Sequence, residues 1–363
     1  MNPTDDTHMA HALALAARGL GRTWPNPAVG CVIVREGRIL GRGWTQPGGR
    51  PHAERRALDM AGDAQGATAY VTLEPCAHHG HTPPCSEALI ATRVARVVTA
   101  LTDPDPRVSG KGHAMLRAAG IAVTENILVE QATRLNAGFL KRVTKGLPFV
   151  TLKLATTIDG RIATASGESR WITGPQARRY VHGLRLSHDA VMVGSGTARA
   201  DDPDLTARDL GATHQPLRIL LDRTLSHRPD SRLGATARQH PVWILHAPDA
   251  PHAAQQAWAA TGARLLPCPA PQGRLDMTAA LRLLAAEGIT RILSEGGGTI
   301  AAALIAGGLV DDLIHLSAGK LIGADGTAAL GPLKLTRLAD APAFRLIGHE
   351  TLGPDTLSHL SRA

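Results

Sequence analysis

Aromatic side chains make up only 3% of this 363-residue chain, so its cores must be built from Ala, Val, Leu and Ile. The same scarcity argues against a nucleic-acid surface, which combines Lys/Arg clusters with stacking aromatics. No apolar run is long enough to span a bilayer as a helix, so no membrane partner is expected. The N-terminal Met1-Asn2-Pro3-Thr4-Asp5-Asp6 has neither a basic region nor an apolar stretch and does not read as a signal peptide. Four cysteines are too few for a disulfide scaffold at this length, and a reducing cytoplasm is the expected compartment. Acidic residues are in deficit, 31 against 39 basic ones, leaving a net charge of +8. Most of that excess is ordinary solvated surface. The rest is scattered Arg, which suits a phosphorylated small molecule better than a nucleic acid.

A chain this long exceeds what one hydrophobic core organises, so two domains are expected. Lys145-Gly146-Leu147-Pro148 has the composition of a linker and sets the boundary, giving residues 1–147 and 148–363. In the first part, Met9, Leu13, Ala16 and Leu20 predict a helix over 8–20; strands over 29–34 and 38–43 form a hairpin around Glu36-Gly37. Further strands are expected over 69–73, 95–101 and 121–123, and helices over 53–60, 85–90, 112–119 and 130–140. Such alternation makes an α/β sheet sandwiched by helices. The second part opens on a nearly continuous apolar strand, 149–155, of the kind buried on both faces. A helix over 175–186, strands over 190–194, 217–221, 242–246 and 291–294, and a helix over 300–305 follow. Two glycine-containing turns end strands here, Gly194-Ser195-Gly196-Thr197 and Glu295-Gly296-Gly297-Gly298-Thr299. Turns of this kind let backbone N–H groups and a helix dipole hold phosphate, and two of them could serve a dinucleotide. Neither is G-x-G-x-x-G, so a Rossmann fingerprint is not met.

The candidate chemistry concentrates between His52 and Cys85. His52, Cys76 and Cys85 offer one imidazole and two thiolates, a set that suits Zn²⁺ and leaves a fourth tetrahedral position for water. Glu54, two residues past the histidine, is placed to serve a bound water without ligating the metal. Cys76 follows a Pro at the end of an apolar strand, while His52 and Cys85 open helices, whose N-termini favour thiolate over thiol. The pattern departs from the H-x-E…P-C-x-x-C of zinc deaminases in one respect: eight residues, not two, separate the cysteines. A buried Cys pair with an unrelated His is the plainer alternative. In the intervening loop His78, His79 and His81 line the pocket mouth or stand in as ligands. Cys31 lies in an apolar strand and is expected to pack.

Pro25-Asn26-Pro27-Ala28-Val29-Gly30, His52-Ala53-Glu54 and the run from Thr72-Leu73-Glu74-Pro75-Cys76 through His78-His79-Gly80-His81-Thr82-Pro83-Pro84-Cys85 resemble the bifunctional riboflavin-biosynthesis deaminase–reductases. The long insert between the cysteines is a mark of that family. The match continues through Asp103-Pro104-Asp105-Pro106, Gly138-Phe139-Leu140-Lys141-Arg142 and most of the second half, covering nearly the whole chain. The resemblance implies a cytidine-deaminase-like α/β/α sandwich with zinc, then a dihydrofolate-reductase-like α/β domain using NADPH. It implies deamination of 2,5-diamino-6-(5-phosphoribosylamino)pyrimidin-4(3H)-one to 5-amino-6-(5-phosphoribosylamino)uracil, then reduction of the ribosyl group to ribityl. A homo-oligomer, a dimer or a tetramer, is expected. The roles the resemblance carries over are Glu54 as proton shuttle; His52, Cys76 and Cys85 as zinc ligands; and Asn26 at the deaminase substrate. Ala155, Trp171, Thr197, Asp201, Arg223, Gly297, Gly298 and Thr299 fall to the cofactor, and Ser169, Arg185, Leu205, Arg208 and Glu295 to the reductase substrate. The family usually has Ser where Thr157 stands and small residues where Arg223 stands. An Arg there suits the 2′-phosphate of NADP, although Asp222 beside it would repel that group. Lys153, polar in an apolar strand, stands near the expected reacting carbon.

Two other readings use the same residues. An RNA-editing deaminase would need a basic groove with stacking aromatics, which the composition disfavours. A zinc module without catalysis would want four protein ligands and would leave Glu54 idle.

Overall fold

The hairpin at Glu36-Gly37 turns on two successive left-handed residues, φ 52° and 74°, the geometry of a two-residue turn that matches strand twist. It joins β1 (Gly30–Arg35) to β2 (Arg38–Trp44). The structure, a computed structural model, describes residues 3–78, 83–106 and 108–363. The chain divides into two compact units, Met1–Leu147 and Pro148–Ala363.

In the first unit β3 (Thr68–Val71), β4 (Arg96–Thr99) and β5 (Ala122–Thr124) complete a five-stranded sheet of order β2-β1-β3-β4-β5. β1 is antiparallel to both neighbours, and β3, β4 and β5 are parallel. The helices are α1 (Pro3–Ala16), α2 (Ala53–Ala61), α3 (Cys85–Ala91), α4 (Lys111–Ala118), α5 (Val129–Leu135) and α6 (Ala137–Lys145). α2 lies unusually close to β2. A Cβ on Gly41 or Gly43 would stand 2.0 or 2.1 Å from the α2 carbonyls of Ala57 and Ala53, so only glycine fits. The helix that begins with the His52-Ala53-Glu54 motif is thereby seated directly on the sheet.

The first helix starts earlier than its apolar spacing suggests and gives way to a short 3₁₀ turn, Ala17–Gly19. The single helix expected over 130–140 is two, broken at Asn136. The Asn136 side chain accepts from Ala28 N at 3.1 Å and donates to Ala28 O at 3.0 Å. Lys145 belongs to α6 and Gly146, at φ 63°, caps it, so the connection between the units is only residues 146–148.

The second unit holds β6 (Phe149–Thr157), β7 (Arg161–Ala163), α7 (Pro175–Leu186), β8 (Ala190–Gly194), α8 (Ser195–Asp201), β9 (Leu217–Leu221) and α9 (Arg232–Ala235). After these come β10 (Val242–His246), α10 (His252–Ala260), β11 (Arg264–Pro267), α11 (Met277–Ala286), β12 (Arg291–Ser294) and α12 (Gly298–Ala306). It ends with β13 (Asp312–Ala318), β14 (Thr327–Ala328), β15 (Phe344–Leu352) and β16 (Asp355–Arg362). A nine-stranded sheet runs β11-β10-β9-β8-β12-β6-β13-β16-β15. Every pairing from β11 to β13 is parallel, and β16 and β15 close the edge antiparallel. β6 departs from the doubly buried strand expected. Val150, Thr151 and Leu152 are buried, Lys153, Leu154 and Ala155 are only partly so, and Thr156 and Thr157 are buried again, so the burial is interrupted in mid-strand. Ser195-Gly196-Thr197, expected as a loop, is the first turn of α8.

Candidate active sites

His52 is the N-cap of α2, Cys85 is the first residue of α3, and Cys76 lies in the loop after β3. Their ligand atoms all lie within 4.8 Å of one another. His52 Nδ1 is 3.3 Å from Cys85 Sγ and 3.7 Å from Cys76 Sγ. In a tetrahedral site with bonds of about 2.05 Å to nitrogen and 2.3 Å to sulfur, the N···S separation is about 3.6 Å. The three donors fit zinc, with Nδ1 as the imidazole ligand. The Cys85 hydrogen bond, joined by His52, drives the Cys76 thiol far below its ordinary range, while Cys76 pushes the Cys85 thiol up. The Cys85 backbone N–H donates to Cys76 Sγ at 3.3 Å, a contact that favours the thiolate form. His78 is exposed and outside the cluster. His79 and His81 lie outside the described residues.

Glu54 sits in the first turn of α2, only 3% exposed, with its carboxyl against Cys85. Burial raises its pKa, against the pull of His52. A carboxyl so placed can both take and give a proton. Asn26 lies over the loop leading to His52, its Nδ2 1.9 Å from where a Cβ on Gly49 would stand. Cys31 is fully buried in β1, as expected.

Glu74 is a residue whose role the sequence did not disclose. Its buried carboxylate accepts four backbone N–H groups, from Asp103 at 3.1 Å, Gly110 at 2.9 Å, Gly112 at 2.9 Å and His113 at 3.2 Å. It thereby caps α4 from a distance and ties Asp103 and the start of α4 to the loop that carries Cys76. Asp103 is itself buried, and burial pushes its carboxyl up to about 6.

In the second unit the two glycine turns meet. β8 and β12 are neighbours, and a Cβ on Gly297 would lie 3.1 Å from Thr197 Oγ1. Gly194 and Gly296 both face Ile300, whose side chain a Cβ would meet at 2.9 and 3.0 Å. These glycines give room rather than unusual φ. Gly297 is the N-cap of α12, so the first N–H groups of that helix, at Gly298 and Thr299, point out of its end. N–H groups at a helix start of this kind suit the phosphates of a dinucleotide. Trp171 is 62% exposed, with the Arg178 guanidinium 4.5 Å from its ring centre. Asp201 ends α8, and its carbonyl accepts from Arg170 Nη2 at 2.6 Å. Ser169 and Ala155 are half-buried.

Arg185 and Glu295, expected separately at the substrate, pair with each other, Nε to Oε1 at 2.6 Å. Burial pulls the nearby Lys153 ammonium down, against the attraction of Glu295. Leu205 is buried at φ 59°, whereas Arg208 is exposed and 3.4 Å from Asp204. Asp222 does not face outward beside Arg223. Its carboxylate accepts from His227 N at 2.7 Å and Ser226 Oγ at 3.2 Å within its own turn. Arg223 donates to Asp249 at 3.1 Å.

Comparison with known proteins follows the same division. Residues 2–101 match the cytidine and deoxycytidylate deaminase zinc-binding region, and residues 148–358 match the RibD C-terminal domain. The chain is 45% identical to the riboflavin biosynthesis protein RibD of Escherichia coli K12, over 98% of this chain and 99% of that one. It belongs to the RibD family. Acinetobacter baumannii RibD, 39% identical, superposes with a TM-score of 0.89 over 99% of both chains. The Thermotoga maritima diaminohydroxyphosphoribosylaminopyrimidine deaminase/5-amino-6-(5-phosphoribosylamino)uracil reductase is 33% identical and superposes at 0.88, again over 99% of both. As a RibD the chain is a bifunctional enzyme of riboflavin biosynthesis, a zinc-dependent deaminase and an NADPH-dependent reductase.

Proposed function

We propose that residues 1–147 carry the deaminase and 148–363 the reductase, acting in turn on one phosphoribosylaminopyrimidine. The observation that carries this reading is the convergence of His52 Nδ1, Cys76 Sγ and Cys85 Sγ with the Glu54 carboxyl against Cys85. When bound there, zinc supplies the Lewis acidity that makes water a nucleophile near neutral pH. Glu54 takes a proton from that water and passes it to the departing amine, so the exocyclic nitrogen leaves as ammonia and oxygen replaces it. Asn26 holds the pyrimidine, and Glu74 fixes Asp103 and the start of α4 beside the site.

In the reductase, NADPH supplies the hydride. The N–H groups at Gly298 and Thr299 hold its phosphates, with Gly297 and Thr197 shaping the cradle. Ala155, Trp171, Asp201 and Arg223 complete the cofactor contacts. Ser169, Arg185, Leu205, Arg208 and Glu295 hold the substrate, Arg208 gripping its phosphate through the guanidinium fork.

With Cys76 and Cys85 given to zinc, the two other cysteines, Cys31 and Cys268, are buried and not disulfide-bonded, which suits a reducing cytoplasm. β15, an edge strand exposing Leu346, supports assembly of two or four copies. Among the described residues no helix is long and apolar enough to cross a membrane. The test is ammonia release from the free pyrimidine nucleotide followed by NADPH oxidation, with and without a chelator. The chelator should stop the first step and spare the second on pre-deaminated substrate. NADPH oxidation that needs zinc would refute the division of labour.

A further inference from the structure

The segment from residue 202 to 209 carries Leu205 and Arg208, and it holds three non-glycine residues in left-handed conformation. Asp202, Leu205 and Asp209 have φ of 40°, 59° and 61°. L residues keep such angles only where their surroundings over-determine them. Here the surroundings are side chains. From α7, Arg179 donates to Asp209 O at 2.6 Å and Arg185 to Thr206 O at 2.8 Å. Gln215 accepts from Ala207 N at 2.7 Å and donates to Ala207 O at 3.0 Å, and Arg218 donates to Asp204 O at 3.2 Å. The Arg232 N–H donates to Asp202 Oδ1 at 3.0 Å. One contact from the segment runs the other way: the Arg208 N–H donates to His182 Nδ1, on α7, at 3.3 Å.

We propose that His182 is a pH-sensitive positioning residue of the reductase, whose neutral ring accepts the Arg208 amide proton and holds the 205–208 segment in its substrate-binding shape. This rests on the reading that Leu205 and Arg208 contact substrate. Guanidinium and amide groups keep their charge between pH 5 and 8, and imidazole does not. A ring nitrogen accepts only while it is unprotonated. Burial, then Arg185 on the same helix and Arg208 in the segment, lower the His182 pKa; Glu295 after β12 and the Thr206 carbonyl oppose them. The neighbouring Asp204 carboxylate is engaged with Arg208. His182 is therefore neutral at pH 7 and the contact is made. Acidification removes the acceptor and sets a third positive charge against Arg185 and Arg208, so the segment loosens as pH falls.

The phosphate monoester of the substrate also titrates near pH 6, so the wild-type pH profile alone decides nothing. The experiment is calorimetric binding of 5-amino-6-(5-phosphoribosylamino)uracil to the full chain without NADPH, between about pH 5 and 8. His182→Gln keeps an acceptor oxygen at every pH. It should follow the titration of the substrate alone and bind roughly five- to tenfold tighter than wild type at the acid end. His182→Leu has no acceptor and should bind roughly five- to tenfold more weakly than wild type at neutral pH, with ammonia release and the KM for NADPH unchanged. Superimposable wild-type and His182→Gln profiles overturn the proposal, as does a wild-type Kd for His182→Leu at neutral pH. Arg208→Ala separates the two layers. If it leaves Kd unchanged, the substrate-binding reading of the segment fails; if it weakens binding while both His182 variants match wild type, only the His182 contact fails.

Discussion

Arg185 and Glu295, 110 residues apart, meet through both carboxylate oxygens, Nε to Oε1 at 2.6 Å and Nη2 to Oε2 at 2.9 Å. The pair joins α7 to the glycine turn after β12. The two side chains are only 12% and 10% exposed, so each is the other's compensation for lost water.

Removing one partner therefore costs more than removing both. Glu295→Ala or Arg185→Met should lower stability by about 3–5 kcal/mol, because the remaining charge stays buried after losing its two-point partner. Arg185→Met with Glu295→Leu should recover much of that loss. Denaturant unfolding followed by tryptophan fluorescence measures it, and equal losses in single and double variants would contradict the coupling. Burial alone would raise the Glu295 carboxyl, but Arg185 wins and holds it below its usual range. A group depressed in the folded state stabilises above its unfolded pKa, about 4.3, and loses that contribution as pH falls through the lower folded value. Wild-type stability should accordingly drop below about pH 4, and the double variant should lack this component.

Glu54→Gln should keep zinc and lose deamination by roughly a hundred- to ten-thousandfold, the range for a lost proton shuttle. NADPH oxidation on pre-deaminated substrate should not change. Loss of zinc would show Glu54 to be a ligand or a support for one, and near-normal ammonia release would remove it from the mechanism.

Cys85→Ser should deplete zinc, since it replaces the Sγ that lies 3.3 Å from His52 Nδ1 with a poorer ligand and leaves one thiol in the cluster. One zinc per chain in wild type and far less in the variant, by metal analysis, is the expected result. Full occupancy in Cys85→Ser would pass the third ligand to one of the histidines at 78, 79 or 81.

The His52, Cys76 and Cys85 cluster was legible because thiols are scarce, four in the chain, and because His52 and Cys85 stand at helix starts that the apolar pattern marks. Glu74 was not. Its partners are backbone amides 29 to 39 residues away, and backbone leaves no trace in a sequence. Asn136 hid the break between α5 and α6 for the same reason, its partner Ala28 lying 108 residues off. α8 escaped because Ser195-Gly196-Thr197 has weak helix propensity, and its seven residues are organised by the end of β8. β6 misled only at Lys153, Leu154 and Ala155, where an apolar run gives no hint that the burial is interrupted. The opposing roles assigned to Asp222 and Arg223 came from adjacency in sequence. The structure separates them, turning Asp222 inward.

That separation shapes the last expectation, the preference for NADPH. With the Asp222 carboxylate 2% exposed and committed to Ser226 and His227, it no longer opposes a phosphate beside Arg223. The competitor is instead Asp249, 3.1 Å from Arg223 Nη2 and largely solvent-exposed, so that pair is weak and readily exchanged. A 2′-phosphate arriving there brings more charge than Asp249 and can share the same guanidinium. A contact of this kind contributes about 1.5–3 kcal/mol, or roughly ten- to a hundredfold in the ratio of kcat/KM for NADPH over NADH. Arg223→Ala should lower that ratio by this amount, with NADH turnover little affected. Asp249→Asn should raise it modestly, because it frees the guanidinium without altering the cradle. If both variants keep the wild-type ratio, the 2′-phosphate is held elsewhere, and Arg223 serves only to anchor the turn after β9 to the one after β10.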